Sequence, residues 1–125
     1  MVEDNSADAF LVKEAVAASH LDVRLYLLSD GEEALRFFGR MEGNDVRCPD
    51  LLLLDLNVPK VSGHELLSYL RSTKRFATMP IVIMTSSSAK VDREKSTAFN
   101  INEYFTKPDT VDEFLRLGDI IGKLI

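Results

Sequence analysis

The chain has 125 residues, 46% hydrophobic and 28% charged, an ordinary globular mixture of a size suited to one core. Fifteen basic against twenty acidic residues leave a net charge of −5, which argues against nucleic-acid binding through a basic face. The single cysteine, Cys48, excludes an internal disulfide, no apolar run nears the ~20 residues of a membrane helix, and no charged-then-apolar leader opens the chain. The expectation is one cytoplasmic domain over residues 1–125, with no membrane contact.

In chain order, the apolar pair Met1-Val2 runs into Glu3-Asp4 and then Asn5-Ser6. From Ser6 a helical pattern extends to about Ser19, with Phe10, Leu11, Ala15 and Val16 expected on its inner face. Val23 to Leu28 reads as a strand. After the Asp30-Gly31 turn a second helix carries Ala34, Leu35, Phe38 and Met41, and Gly43-Asn44-Asp45 marks a loop. Leu51 to Leu54 is a continuous apolar run ending at Asp55, the pattern of a strand buried on both faces. Ser62-Gly63-His64-Glu65 has capping-box spacing and starts a third helix through Leu66, Leu67 and Leu70. Ile81-Val82-Ile83-Met84 is a second such strand, ending at Thr85. A polar helix spans about Ala89 to Phe99, and Tyr104-Phe105-Thr106 is a short strand ending at Lys107-Pro108. A further capping box, Thr110 to Glu113, opens the last helix, which is expected to run to Leu124.

Strand and helix thus alternate about five times, which predicts an α/β fold with an open, doubly wound parallel sheet and helices on both faces. The polar residues then take on meaning through position. Glu3-Asp4, Asp55, Thr85 and Lys107 each stand at the carboxyl end of an apolar strand, where ligands of open parallel sheets bind. Folding would gather three carboxylates, a hydroxyl and an ammonium there. Carboxylates so close repel one another unless a cation intervenes, and an all-oxygen donor set suits Mg²⁺ or Mn²⁺ rather than zinc. Such a site can position a phosphoryl group, with Lys107 and Thr85 offsetting its charge and a carboxylate as nucleophile.

Val2-Glu3-Asp4-Asn5, Leu53-Leu54-Asp55-Leu56-Asn57-Val58-Pro59 with Gly63, Met84-Thr85-Ser86 and Tyr104-Phe105-Thr106-Lys107-Pro108 together resemble the receiver domain of two-component response regulators. The resemblance covers nearly the whole chain. It implies a flavodoxin-like, five-stranded sheet of order 2-1-3-4-5. It also implies that Asp55 is the phosphoacceptor, served by the phosphohistidine of a sensor histidine kinase. Glu3, Asp4, Asp55 and the backbone carbonyl of Asn57 would hold the Mg²⁺. Lys107 would pair with the phosphoryl group, Thr85 would move to it, and Tyr104 would be the aromatic switch. A cis peptide between Lys107 and Pro108 is implied as well. Phosphorylation would shift the face made by the fourth helix, fifth strand and fifth helix.

Leu56-Asn57-Val58-Pro59 and the lengthened stretch before Pro49-Asp50 resemble single-domain regulators paired with bacterial phytochromes. With only Met1 and Val2 ahead of the acidic pair, the first strand is either truncated, the numbered chain starting inside it, or unusually short, and truncation is the expectation. No output domain is expected after Ile125, so any effect would pass through another protein or through self-association. In the last helix, apolar residues from Val111 to Ile125 spread over about 220°, against the ~100° stripe that core packing needs. Leu117, Ile120 and Leu124 fall at the outer margin, and homodimerisation through this helix is the expectation. The chain is read as a binding switch rather than an enzyme, with only self-phosphorylation and slow self-dephosphorylation of its own. Two rivals remain. One is a receiver-like interaction domain independent of phosphate. The other is a small aspartyl-phosphate phosphohydrolase of the haloacid-dehalogenase type, which wants an acid where Asn57 stands.

Overall fold

A computed structural model describes every residue from Met1 to Ile125. Its helices follow the caps written in the sequence. α1 (Ser6–Ala18) is capped by the Asn5 side chain, which accepts from the N–H groups of Ala7 and Asp8. α2 (Gly31–Met41) is capped by Asp30, and α3 (Gly63–Ser72) by Ser62. A 3₁₀ turn, Lys74–Phe76, follows α3. α4 (Lys90–Thr97) has no side-chain cap and buries only Ser96, so it is the most peripheral helix.

Three parallel strands form the sheet: β1 (Leu52–Leu54), β2 (Ile81–Thr85) and β3 (Glu103–Thr106), in that spatial order. Every residue of β1 and β2 is buried, as the continuous apolar runs require. Side chains alternate between two cores. Leu52, Leu54, Ile81, Ile83 and Tyr104 pack with α2, α3 and the 3₁₀ turn through Phe38, Leu66, Leu67, Leu70 and Phe76. Leu53, Val82, Met84 and Phe105 face the opposite way, onto Ala9, Val12 and Ala15 of α1 and onto Phe114, Leu117 and Ile121.

Several expectations need correction. The segment 23–28 is not a strand: Leu28 alone makes a parallel bridge there, to Val2, which bridges Leu54 on its other side. A strand needs a partner along its length, and none of the backbone N–H groups of residues 22–27 donates to another backbone group. The ladder begins only at Met1, whose amine donates to the Tyr26 carbonyl at 2.8 Å. Ahead of it lies an open groove of about 1230 Å³, lined mainly by hydrophobic residues of segments 22–28 and 47–53 and of the last helix. Burial in this wall pushes the Met1 amine down to about 6.

On α1 the buried face is Ala9, Val12 and Ala15, whereas Phe10 is 59% exposed. The small residues let the helix sit close to its neighbours: a Cβ on Gly118 would collide with the Ala15 carbonyl and the Ser19 side chain. The last helix is divided into α5 (Val111–Phe114), capped by Thr110, and α6 (Arg116–Leu124). Leu115 keeps helical angles, but the Gly118 N–H bonds to its carbonyl at 3.1 Å, a 3₁₀-type step. The tighter winding turns Leu117 inward, and it is fully buried rather than at the outer margin. Ile120 and Leu124 remain half-buried, and Val111 and Ile125 exposed. All peptide bonds are trans, including Lys107–Pro108, the isomer that X–Pro bonds favour by about 0.5–1 kcal/mol.

Candidate functional site

The carboxyl ends of the strands converge as their polar residues require. Asp55 follows β1 directly, Thr85 ends β2, Lys107 follows β3, and Glu3 follows the bridged residue Val2. Two backbone bonds fix this convergence: the Asp55 N–H donates to the Val2 carbonyl at 3.1 Å, and the Lys107 N–H to the Thr85 carbonyl at 2.8 Å. Gly63 lets the chain fold back over the loop after β1, because a Cβ there would lie 2.5 Å from Leu56 Cα and 2.9 Å from the Asp55 carbonyl oxygen.

Lys107 Nζ is the hub. It donates to Glu3 Oε1 at 2.5 Å, to Asp8 Oδ2 at 2.7 Å and to Asp55 Oδ2 at 3.0 Å. An ammonium has three N–H groups, and all three are used. The lysine side chain is 10% exposed, and those of Glu3 and Asp55 less still, so these are charge-assisted bonds in a poorly hydrated place.

Burial acts on each partner differently. It pushes Glu3 up to about 7, the bond from Lys107 offsetting this only in part while Asp55 adds to it. Burial also raises Asp55, but the Asn57 N–H on Oδ1 (3.0 Å) and the Lys107 ammonium together hold it below its ordinary value. Burial alone would lower Lys107, yet Asp8, Glu3 and Asp55 outweigh it and keep the ammonium charged. The site therefore favours an ionised Asp55 beside a Glu3 that readily takes a proton.

That imbalance is what a cation would remove. Carboxylate oxygens of Glu3, Asp4 and Asp55 lie within 4.8 Å of one another, with Asp4 exposed and the other two buried. Hard oxygen donors, one of them short of positive charge, fit a divalent cation of the Mg²⁺ or Mn²⁺ kind.

Asn57 bridges the nucleophile to the hydroxyl. Its backbone N–H holds Asp55, and its side-chain amide donates to Thr85 Oγ1 at 3.3 Å. Ser87 N–H donates to the same oxygen at 3.3 Å, and Thr85 is fully buried. Tyr104 points inward at 7% exposure, its hydroxyl donating to the Ser87 carbonyl at 2.8 Å and its ring lying under the Arg93 guanidinium. The expected residues Glu3, Asp4, Asp55, Thr85 and Lys107 are thus brought to one end of the sheet, with Asn57 linking two of them and Tyr104 next to them through Ser87.

Asp8 was not foreseen. It stands in the first turn of α1, three residues after the Asn5 cap, where an acid reads simply as a favourable helix-start residue, so nothing local marks it as a partner of Lys107.

Comparison with known proteins identifies the family. The family profile described as "Response regulator receiver domain" matches residues 1–117. The chain is 34% identical over 116 residues to the "Probable methanogenesis regulatory protein FilR2" of Methanothrix harundinacea (strain 6Ac), covering 93% of this chain and 75% of that protein. It is 33% identical over 118 residues to "Response regulator Rcp1" of Synechocystis sp. (strain ATCC 27184 / PCC 6803 / Kazusa), covering 94% and 80%. The Mn²⁺-bound crystal structure of Rcp1 superposes with a TM-score of 0.86 at 32% identity, over 98% of this chain and 88% of that one. The phosphorylated cyanobacterial phytochrome response regulator RcpA superposes at 0.85 with 33% identity and the same coverage.

Proposed function

The chain belongs to the response regulator receiver domain family, and from that premise we propose that Asp55 takes a phosphoryl group from the phosphohistidine of a sensor histidine kinase. A carboxylate oxygen of Asp55 attacks phosphorus, the P–N bond breaks, and the imidazole nitrogen leaves with the electron pair. The observation that carries this reading is Lys107 Nζ at 3.0 Å from Asp55 Oδ2, beside the acid trio Glu3, Asp4 and Asp55. The Lys107 ammonium receives charge developing on a phosphoryl oxygen, and the Asn57 N–H keeps Asp55 ionised and oriented. Receiver domains bind a divalent metal, and in this chain Glu3, Asp4, Asp55 and the Asn57 carbonyl would hold it as Mg²⁺ or Mn²⁺. When bound, the cation neutralises phosphoryl oxygens.

Thr85 and Tyr104 carry the response. The Thr85 hydroxyl turns to the phosphoryl group, and Tyr104 reports that movement to the face made by α4, β3 and the α5–α6 helix. The parallel bridges of Val2 to Leu28 and Leu54 are in keeping with the spatial order 2-1-3-4-5, the first two segments contributing single bridges in place of strands. The 125 residues act as one receiver unit in the cytoplasm, a switch with no chemistry beyond gaining and losing its own phosphoryl group. The likeness to Rcp1 and RcpA supports a phytochrome-type sensor kinase as partner. Homodimerisation would use the half-buried Ile120 and Leu124 and the exposed Ile125 of the last helix, and Leu124→Glu should then shift the sedimentation velocity towards the monomer.

The decisive experiment is incubation with acetyl phosphate and Mg²⁺ followed by intact-mass measurement. One phosphoryl adduct is expected on the parent and none on Asp55→Asn. An equally modified Asp55→Asn chain overturns the assignment.

A further inference from the structure

We infer that Asp8 is a positioning residue for Lys107: its carboxylate restrains the ammonium on the α1 side of the site and so sets how strongly Lys107 grips a phosphoryl group on Asp55. This rests on the reading of Asp55 given above. Lys107 has three partners, and two of them, Glu3 and Asp55, belong to the carboxylate trio that fits a divalent cation. Asp8 does not belong to that trio. Its Oδ2 lies 2.7 Å from Lys107 Nζ, and its side chain is 22% exposed. With a cation drawing on Glu3 and Asp55, Asp8 is the carboxylate whose claim on the ammonium is undiminished.

Two opposite consequences follow from one charge. A carboxylate on this wall attracts a divalent cation entering the trio. The same carboxylate repels a doubly charged phosphoryl group and shares the lysine needed to offset it. Neutralising Asp8 should therefore weaken one ligand and tighten the other. Asp8 also lies in the first turn of α1, next to the Asn5 cap, where any acid favours the helix. A purely helical role changes stability, but it does not move the two ligands apart.

The test titrates the parent, Asp8→Asn, Asp8→Glu and Asp55→Asn with Mg²⁺ alone, then with beryllofluoride in saturating Mg²⁺, by calorimetry. Asp8→Asn should bind Mg²⁺ about three- to tenfold more weakly and beryllofluoride more tightly by a similar factor. Asp8→Glu, which keeps the charge, should restore both. The acyl phosphate of Asp8→Asn, followed by intact mass, should outlive that of the parent. Unchanged affinities in Asp8→Asn, or shifts in the same direction for both ligands, overturn the inference while the Asp55 reading stands. A parent that binds no beryllofluoride overturns the Asp55 reading and this inference with it, so the two failures are told apart.

Discussion

At the carboxyl end of the sheet, every N–H of Lys107 meets a carboxylate. At the amino end the reverse holds. The backbone N–H groups of residues 22–27 make no backbone bonds, apolar side chains from Val23 to Leu53 border an open groove, and the Met1 amine sits in its wall. The two ends are joined by the same strands, so the contrast is one of what closes them. Hydrogen bonds between charged side chains close one end within the chain, although its carboxylates outnumber the one ammonium. The other is bordered mostly by apolar side chains, with Asp22, Arg24, Arg47 and Asp50 among them, and by backbone N–H groups without backbone partners. The candidate site is thus at the end whose polar side chains are tied together by hydrogen bonds within the chain, the kind of support that precise positioning of groups requires.

The contrast can be broken most forcefully at Lys107. Lys107→Met leaves Glu3 and Asp55 buried without their cation, and a loss of about 3–5 kcal/mol is expected when no divalent metal is present. Saturating Mg²⁺ should recover a large part of it. Chemical denaturation with and without the metal checks both, and a variant as stable as the parent in chelator would contradict the hub described here.

A paired truncation compares the apolar parts. Leu54→Ala, in the closed core beneath Asp55, should cost about 2–5 kcal/mol, since a cavity remains there. Leu25→Ala, on the groove wall, should cost about 1 kcal/mol, because solvent already reaches it. Equal losses would mean that the groove is as well packed as the core.

A pH-dependent effect concerns the Met1 amine, lowered to about 6 from an ordinary value of 8.0. Between those values the unfolded chain binds more protons than the folded one, so stability falls as pH drops from 8 to 6, by about 2–3 kcal/mol. Glu3 acts in the opposite sense: raised to about 7 from 4.5, it contributes stability at low pH that is lost as pH rises through 7. Acetylating the amine separates the two, since the amide keeps its bond to the Tyr26 carbonyl but cannot charge. The acetylated chain should exceed the free one in stability below pH 6 and match it above pH 8. A constant difference across that range would place the amine in water.

Much of this was legible in the residues. Asn5, Asp30, Ser62 and Thr110 cap helices because a short polar side chain reaches N–H groups two or three residues on, an interaction complete within one turn. Leu52–Leu54 and Ile81–Thr85 are strands because unbroken apolar runs are stable only when covered on both faces. Their ends, with that of Glu103–Thr106, therefore placed Asp55, Thr85 and Lys107 together. On α1, Ala15, Leu11 and Val16 face the core as the periodicity predicts, but Phe10 is exposed and Ala9 and Val12 are buried; the close approach of Gly118 to Ala15 and Ser19 shows how tightly this helix is packed. Leu117 was misplaced because one tight step at Leu115 rotates all that follows.

By itself, then, the order of residues determined which chemical groups meet at the sheet's carboxyl end, because strand and cap signals are local and each strand has only one such end. Tertiary structure alone decided which acids Lys107 chooses. That choice depends on gaps of an ångström between α1, β1 and β3, set by how Ala9, Ala15 and Gly118 let the helices settle. Asp8 entered the site through that packing, since Coulomb energy falls with distance and no local pattern encodes the distance between residues 99 positions apart.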